Sequence, residues 1–165
     1  MAYYPDLTDY AYLALAIRHP ATRNIGWLAR DPSFATAVPS DALLDALWRY
    51  CKVSVAQTRG AHDCELCTAR GYRAERHGDS LLLGTSEIRV FAATGEIYAA
   101  PTLIYHYVEV HHYAPPEPFL RALDEGPPPP EPAYFDRLVQ LGLAWNTTPP
   151  AAAPPRKAWP RCARL

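Results

Sequence analysis

No stretch of this sequence approaches the ~18 consecutive apolar residues that a membrane-spanning helix needs. The opening residues, MAYYPDLTDY, lack the basic and apolar regions of a secretory signal. The expected location is therefore the cytoplasm, with no membrane as partner. Cysteine is scarce, four in 165 residues, too few for a scaffold built on disulfides. In a reducing compartment, two close cysteines hold metal or do redox chemistry rather than cross-link the chain. A strong charge of either sign is also missing: the net charge is −1, which gives no general reason to expect nucleic acid as partner. The sequence has no G-x-S-x-G nucleophile motif, no phosphate-binding glycine loop and no H-E-x-x-H helix. Those absences weigh against an enzyme.

What the chain does have is proline, 18 residues, roughly twice the usual share. Thirteen of them lie at or after Pro115, so the last third differs in kind from the rest. A length of 165 residues and 49% apolar composition suit one globular domain with a buried core. From 146 to 165 there are four basic residues and no acidic ones, which leaves −5 on the remainder. This is the composition of a short basic, flexible tail. Arginine outnumbers lysine 14 to 2 beside abundant alanine and proline, as in GC-rich bacterial genomes.

The clearest helix is PSDALLDALWRYC. Ser40 is a good N-cap, and Leu43, Leu44, Leu47, Trp48 and Cys51 recur at helical spacing. Cys51 thereby belongs to the buried stripe. NIGWLAR, 24 to 30, reads as an extended piece with Ile25, Trp27 and Leu28 in the core, whereas TARGYRAERHGDS is a polar, arginine-rich passage. Two apolar runs around Thr94-Gly95 predict a β-hairpin, and Pro101 then opens a helix over TLIYHYVEVHHY. PPEPFLRAL is a short helix entered through prolines. Beyond 125, the sequence predicts a stiff proline linker over 126–132 and an amphipathic helix over 133–145, with Phe135, Leu138 and Val139 turned to the body and Leu141 as a further candidate for that face. The basic tail follows. His19 and His77 lie in turn-like contexts and read as surface residues.

Chemistry concentrates at GAHDCELCTARG. Cys64 and Cys67 have the C-x2-C spacing in which a tight turn presents two thiolates to one ion. His106 and His111, spaced H-x4-H, supply two imidazoles in the range that zinc sites use. Knuckle, hairpin and then a histidine-bearing helix is the order of elements in treble-clef zinc folds, although 38 residues between Cys67 and His106 exceed a minimal finger. The predicted metal ligands are Cys64, Cys67, His106 and His111, with zinc as the cofactor. His112 could replace His111, and His62 could bind beside the knuckle or orient a thiolate. A redox reading takes Cys64 and Cys67 as a reactive pair with His62 or Arg59 lowering a thiol pKa. A hydrolase reading leaves one metal position open, with Asp63 or Glu109 as base. Arg59, Arg70, Arg73 and Arg76 surround the knuckle, but acidic neighbours leave residues 59 to 77 at only +1, too little for a nucleic-acid surface.

The strings YYPDLT, NIGWL, TRGAHDCELC, EIRV and IYAAPTLIYHYVEVHHYAPPEPFLRAL resemble a family of small bacterial proteins defined by a domain of unknown function. The resemblance spans about residues 3 to 124, with an HDCxxC knuckle and an APxLIYHYVxxH segment as its most specific parts. It implies a histidine pair at His106 and His111, and it brings no activity with it. The expected protein is a small α+β domain over 1–125, stabilised by zinc, whose partner is another protein.

Overall fold

The computed structural model describes residues 3–13, 21–31, 33–67 and 71–147. The expectations for His19, for Arg70 and for the tail from 148 onward lie outside the described residues. Within them the chain is mixed α+β, with four helices and two sheets. In order the elements are β1 (Thr22–Asn24), α1 (Asp41–Lys52), β2 (Val53–Val55), β3 (Arg73–Arg76), β4 (Asp79–Leu82), β5 (Glu87–Phe91), β6 (Ile97–Pro101), α2 (Ile104–His111), α3 (Glu117–Glu125), α4 (Pro132–Gln140) and β7 (Trp145–Thr147). No helix among the described residues is long and apolar enough to cross a membrane.

The first helix forms as its sequence dictates. Ser40 Oγ accepts a hydrogen bond from the Leu43 N–H at 3.2 Å, which satisfies one of the orphan donors of the first turn. Leu44, Leu47, Trp48 and Cys51 are all buried on one face. Burial pushes the Cys51 thiol up to about 12, and its Sγ lies 3.7 Å from the Thr102 carbonyl. It is a small core residue rather than a reactive thiol.

Around Gly95, whose φ is +98°, β5 and β6 make the expected hairpin. That hairpin is the centre of a five-stranded sheet ordered β1-β6-β5-β2-β7, in which β1 runs parallel to β6 and the other neighbours are antiparallel. Every residue of β5 is buried, including Glu87 and Arg89. A charge pair so placed must be satisfied internally. Arg89 Nη1 donates to Glu87 Oε2 at 2.6 Å, the Tyr10 hydroxyl donates to the same carboxylate at 2.9 Å, and the Arg89 guanidinium lies 4.8 Å from the centre of the Tyr10 ring. The N-terminal segment is held further by Asp6, which accepts from the Gly26 N–H at 2.8 Å and from the Tyr113 hydroxyl at 2.7 Å.

Several expectations differ from the structure. The arginine-rich passage after the knuckle contains a second hairpin, β3–β4, turning on His77 and Gly78, both at positive φ, with Arg76 opposite Asp79. Such a two-residue turn matches the twist of the strands it joins. The hairpin is fixed to α1 by charge: Arg76 Nε meets Asp45 at 2.5 Å and Lys52 Nζ meets Asp79 at 2.5 Å. Pro101 ends β6 instead of opening a helix, and α2 begins at Ile104.

The prolines placed in a stiff linker over 126–132 fold into a turn, closed by the Glu131 N–H on the Pro128 carbonyl at 2.9 Å. Gly126 packs so closely on the sheet that a Cβ there would lie 1.9 Å from the Phe91 carbonyl oxygen. The helix placed over 133–145 covers Pro132–Gln140, and Gly142, at φ +67°, follows the turn that ends it. Its buried residues are Tyr134 and Leu138, four apart, whereas Val139 is 62% exposed. Trp145 and the first two residues assigned to the tail pair with β2 as β7.

Candidate metal centre

Both ends of the cysteine loop are tied to the backbone that follows β4. The His62 N–H donates to the Gly84 carbonyl at 2.7 Å, and the Leu83 N–H donates to the Tyr72 carbonyl at 3.0 Å. Asp63 closes the loop across its base by accepting the Gly71 N–H at 2.7 Å. Within it, the Cys67 N–H points to the Cys64 carbonyl at 3.4 Å, which brings the two sulfurs to the same side of a tight turn. Facing them is α2, with His106 in its first turn and His111 as its last residue. His112 is the left-handed C-cap at φ 56°, where the helix path stops.

Cys64, Cys67, His106 and His111 converge, with their candidate ligand atoms all within 4.8 Å of one another. Cys67 Sγ is 3.2 Å from His106 Nε2 and 3.1 Å from His111 Nε2, while Cys64 Sγ is 3.4 Å from His111 Nε2. The two imidazole nitrogens are 3.2 Å apart. A tetrahedral site with metal–sulfur bonds of ~2.3 Å and metal–nitrogen bonds of ~2.05 Å has N–S edges of about 3.6 Å and N–N edges of about 3.3 Å. The three N–S separations and the N–N separation above are slightly shorter than those edges, and the group as a whole lies within 4.8 Å.

Hydrogen bonding alone does not account for the arrangement. An imidazole nitrogen is either one donor or one acceptor, yet His111 Nε2 stands 3.1 to 3.4 Å from three other polar atoms. Donor atoms gathered this closely fit a shared cation. Burial, with a smaller contribution from neighbouring His111, pulls His106 down to about 3, so its imidazole is neutral and available as a ligand. Burial likewise raises the Cys64 thiol above its ordinary value. A cation in the site would reverse that preference by stabilising the thiolate. Cys67 is disulfide-bonded in this structure. A disulfide sulfur carries no thiolate charge, so metal binding by all four residues refers to the chain with Cys67 reduced.

The alternative ligands are engaged elsewhere. His62 Nε2 lies 2.9 Å from the Tyr12 hydroxyl and is not in the convergent group. The His112 carbonyl accepts from the Ala37 N–H at 2.9 Å, and its side chain is likewise outside the group. Of the carboxylates considered as bases, Asp63 closes the loop and Glu109 accepts hydrogen bonds from Tyr72 at 3.0 Å and Tyr105 at 3.1 Å. Sequence reasoning missed Tyr72, whose ring centre is 3.9 Å from that of His106. No spacing rule connects a tyrosine after the knuckle with a histidine 34 residues later.

Fold and site together define a small α+β protein with a candidate Cys2His2 metal centre joining a loop to a helix. Residues 2–124 match the family model described as a domain of unknown function (DUF7919), and the chain belongs to that family. The match includes the cysteine loop, both hairpins and α2. No curated protein and no solved structure matches the chain.

Proposed function

We propose that this is a zinc-stabilised accessory or protein-interaction protein of the bacterial cytoplasm, with Cys64, Cys67, His106 and His111 as a closed structural site. The observation that carries the reading is the approach of three candidate ligand atoms to His111 Nε2. A donor set of two sulfurs and two imidazole nitrogens suits zinc better than the hard cations, which take oxygen. Bound zinc would supply a positive charge that keeps two buried thiolates ionised. It would also cross-link residues 64–67 to α2, so that binding free energy becomes folding free energy. The proposal includes a treble-clef relationship, supported by the chain order of cysteine loop, β5–β6 hairpin and histidine-bearing helix, with the β3–β4 hairpin as an insertion in that order. Four protein ligands leave no place for a reactive water, which favours a binding role over hydrolysis. The raised Cys64 pKa argues against a thiol-redox role, since reactive cysteines are held as thiolates.

The test is metal content by mass spectrometry on reduced protein, for the wild type and for Cys64→Ser, Cys67→Ser, His106→Ala, His111→Ala, His62→Ala and His112→Ala. About one zinc per chain is expected in the wild type, lost in the first four variants and kept in the last two. A folded, reduced wild type that takes up no metal would remove the proposal.

A further inference from the structure

A histidine that binds metal through one ring nitrogen is usually oriented by a hydrogen bond from the other. His106 departs from that pattern. It is fully buried, its Nε2 faces the cluster, and its Nδ1 has no hydrogen-bond partner among the described residues. Packing must therefore set the angle of the ring, and Tyr72 makes the closest ring contact to it, with centroids 3.9 Å apart and planes at 45°. The rings of His111 and Tyr107 stand further off, at 4.9 and 5.9 Å.

Tyr72 is also fixed at both ends. Its backbone carbonyl accepts the Leu83 N–H at 3.0 Å, one residue after Gly71 closes the cysteine loop on Asp63. Its hydroxyl donates to Glu109 Oε2 at 3.0 Å, and Tyr105 holds the other carboxylate oxygen at 3.1 Å. Glu109 stands three residues after His106 on α2, on the same side of the helix. One side chain thus spans from the exit of the cysteine loop to the helix that carries the histidines.

Resting on the metal reading above, we propose that Tyr72 is a positioning residue of the centre. Its ring fixes the imidazole of His106, and its hydroxyl, through Glu109, latches the cysteine loop to α2, so that Tyr72 governs how fast a bound metal leaves. Tyr72 acts without touching the metal. Substitution therefore changes the lifetime and geometry of the site while leaving its stoichiometry intact.

The test compares wild type, Tyr72→Phe, Tyr72→Leu and Glu109→Gln, each reduced and loaded with zinc. Zinc release into excess chelator gives the rate, and cobalt(II) in place of zinc gives a visible spectrum sensitive to ligand geometry. All four proteins are expected to hold one metal. Tyr72→Phe and Glu109→Gln, which keep the ring but weaken the latch, should release zinc about fivefold faster, the effect of one net hydrogen bond. Tyr72→Leu should release it faster still and alter the cobalt spectrum, and Tyr72→Phe should restore the spectrum. Release at the wild-type rate from Tyr72→Phe and Glu109→Gln, or a wild-type cobalt spectrum in folded Tyr72→Leu, overturns the proposal while leaving the metal reading standing. If Tyr72→Leu fails to fold, those two variants decide. A wild type without metal defeats the underlying reading instead.

Discussion

Two glycines with nearly the same φ provide a controlled test of how the fold holds the site. Gly84 has φ +86° and Gly78 has φ +80°. An alanine at either position must adopt a left-handed conformation, at about 1–2 kcal/mol. Around Gly78 no heavy atom lies within 4 Å of an added Cβ, whereas at Gly84 it would meet the His62 carbonyl oxygen at 2.3 Å. The clash is with backbone and has no side-chain escape. Relieving it must pull His62 away from Gly84 and weaken the 2.7 Å hydrogen bond that anchors the entrance of the cysteine loop. Losing that bond adds about 1 kcal/mol. Gly84→Ala should therefore cost roughly 2–3 kcal/mol, and Gly78→Ala about 1–2 kcal/mol. For a chain of this size each kcal/mol lowers the melting temperature by roughly 2–4 °C. Urea titration and thermal melting read the stability, and chelator competition reads zinc affinity. Gly84→Ala should also weaken zinc binding, because His62 stands two residues before Cys64, and Gly78→Ala should not. Equal destabilisation by the two substitutions, with unchanged zinc affinity in both, would refute the claim that the Gly84 contact positions the loop.

The buried pair on β5 makes a prediction independent of metal. Arg89→Leu strands the Glu87 carboxylate in the core and should cost about 3–5 kcal/mol in urea titration, while Glu87→Leu with Arg89→Leu should recover much of that loss. If the double variant is no more stable than the single one, the pair is not the unit that matters. His106 predicts acid sensitivity in the metal-free chain. Its pKa is pulled to about 3 in the folded state from 6.5, so between those values the unfolded chain binds the extra proton. Stability from this group is complete above pH ~6.5 and falls by at most about 1.4 kcal/mol per pH unit as the solution is acidified towards the folded value. His106→Phe should flatten that part of the urea-midpoint profile, and an unchanged slope would count against the burial of a neutral imidazole.

The parts of the fold legible from sequence were those decided by neighbours along the chain. Ser40 and the apolar period of α1 act within a few residues, and so does the turn at Thr94-Gly95. The β3–β4 hairpin escaped because Arg73–Arg76 and Asp79–Leu82 alternate poorly and are only partly buried. Its local signal was His77-Gly78, a pair suited to a two-residue turn. Pro101 misled in the other direction: a helix-opening residue by propensity, it is held at the end of β6 opposite Glu87. Strand β7 could not be read at all, since Val53 and Thr147 meet across more than ninety residues. In the same way, Glu87 and Arg89 carry no local sign of burial, which comes only when the rest of the chain packs around β5.

For the site, local spacing was enough to name the candidate donors: a C-x2-C turn and a helix with histidines five apart. It left His62, His111 and His112 as rivals because one-dimensional spacing carries no direction across the 38 residues between Cys67 and His106. Folding separates them in space. Gly84 fixes His62 at the entrance of the loop, where its ring turns to Tyr12, and the left-handed cap at His112 takes that residue off the helix path. His111 is left within reach of both sulfurs and of His106. Which atoms share a point in space depends on strand pairing and packing between distant segments, and those interactions exist only once the chain has folded.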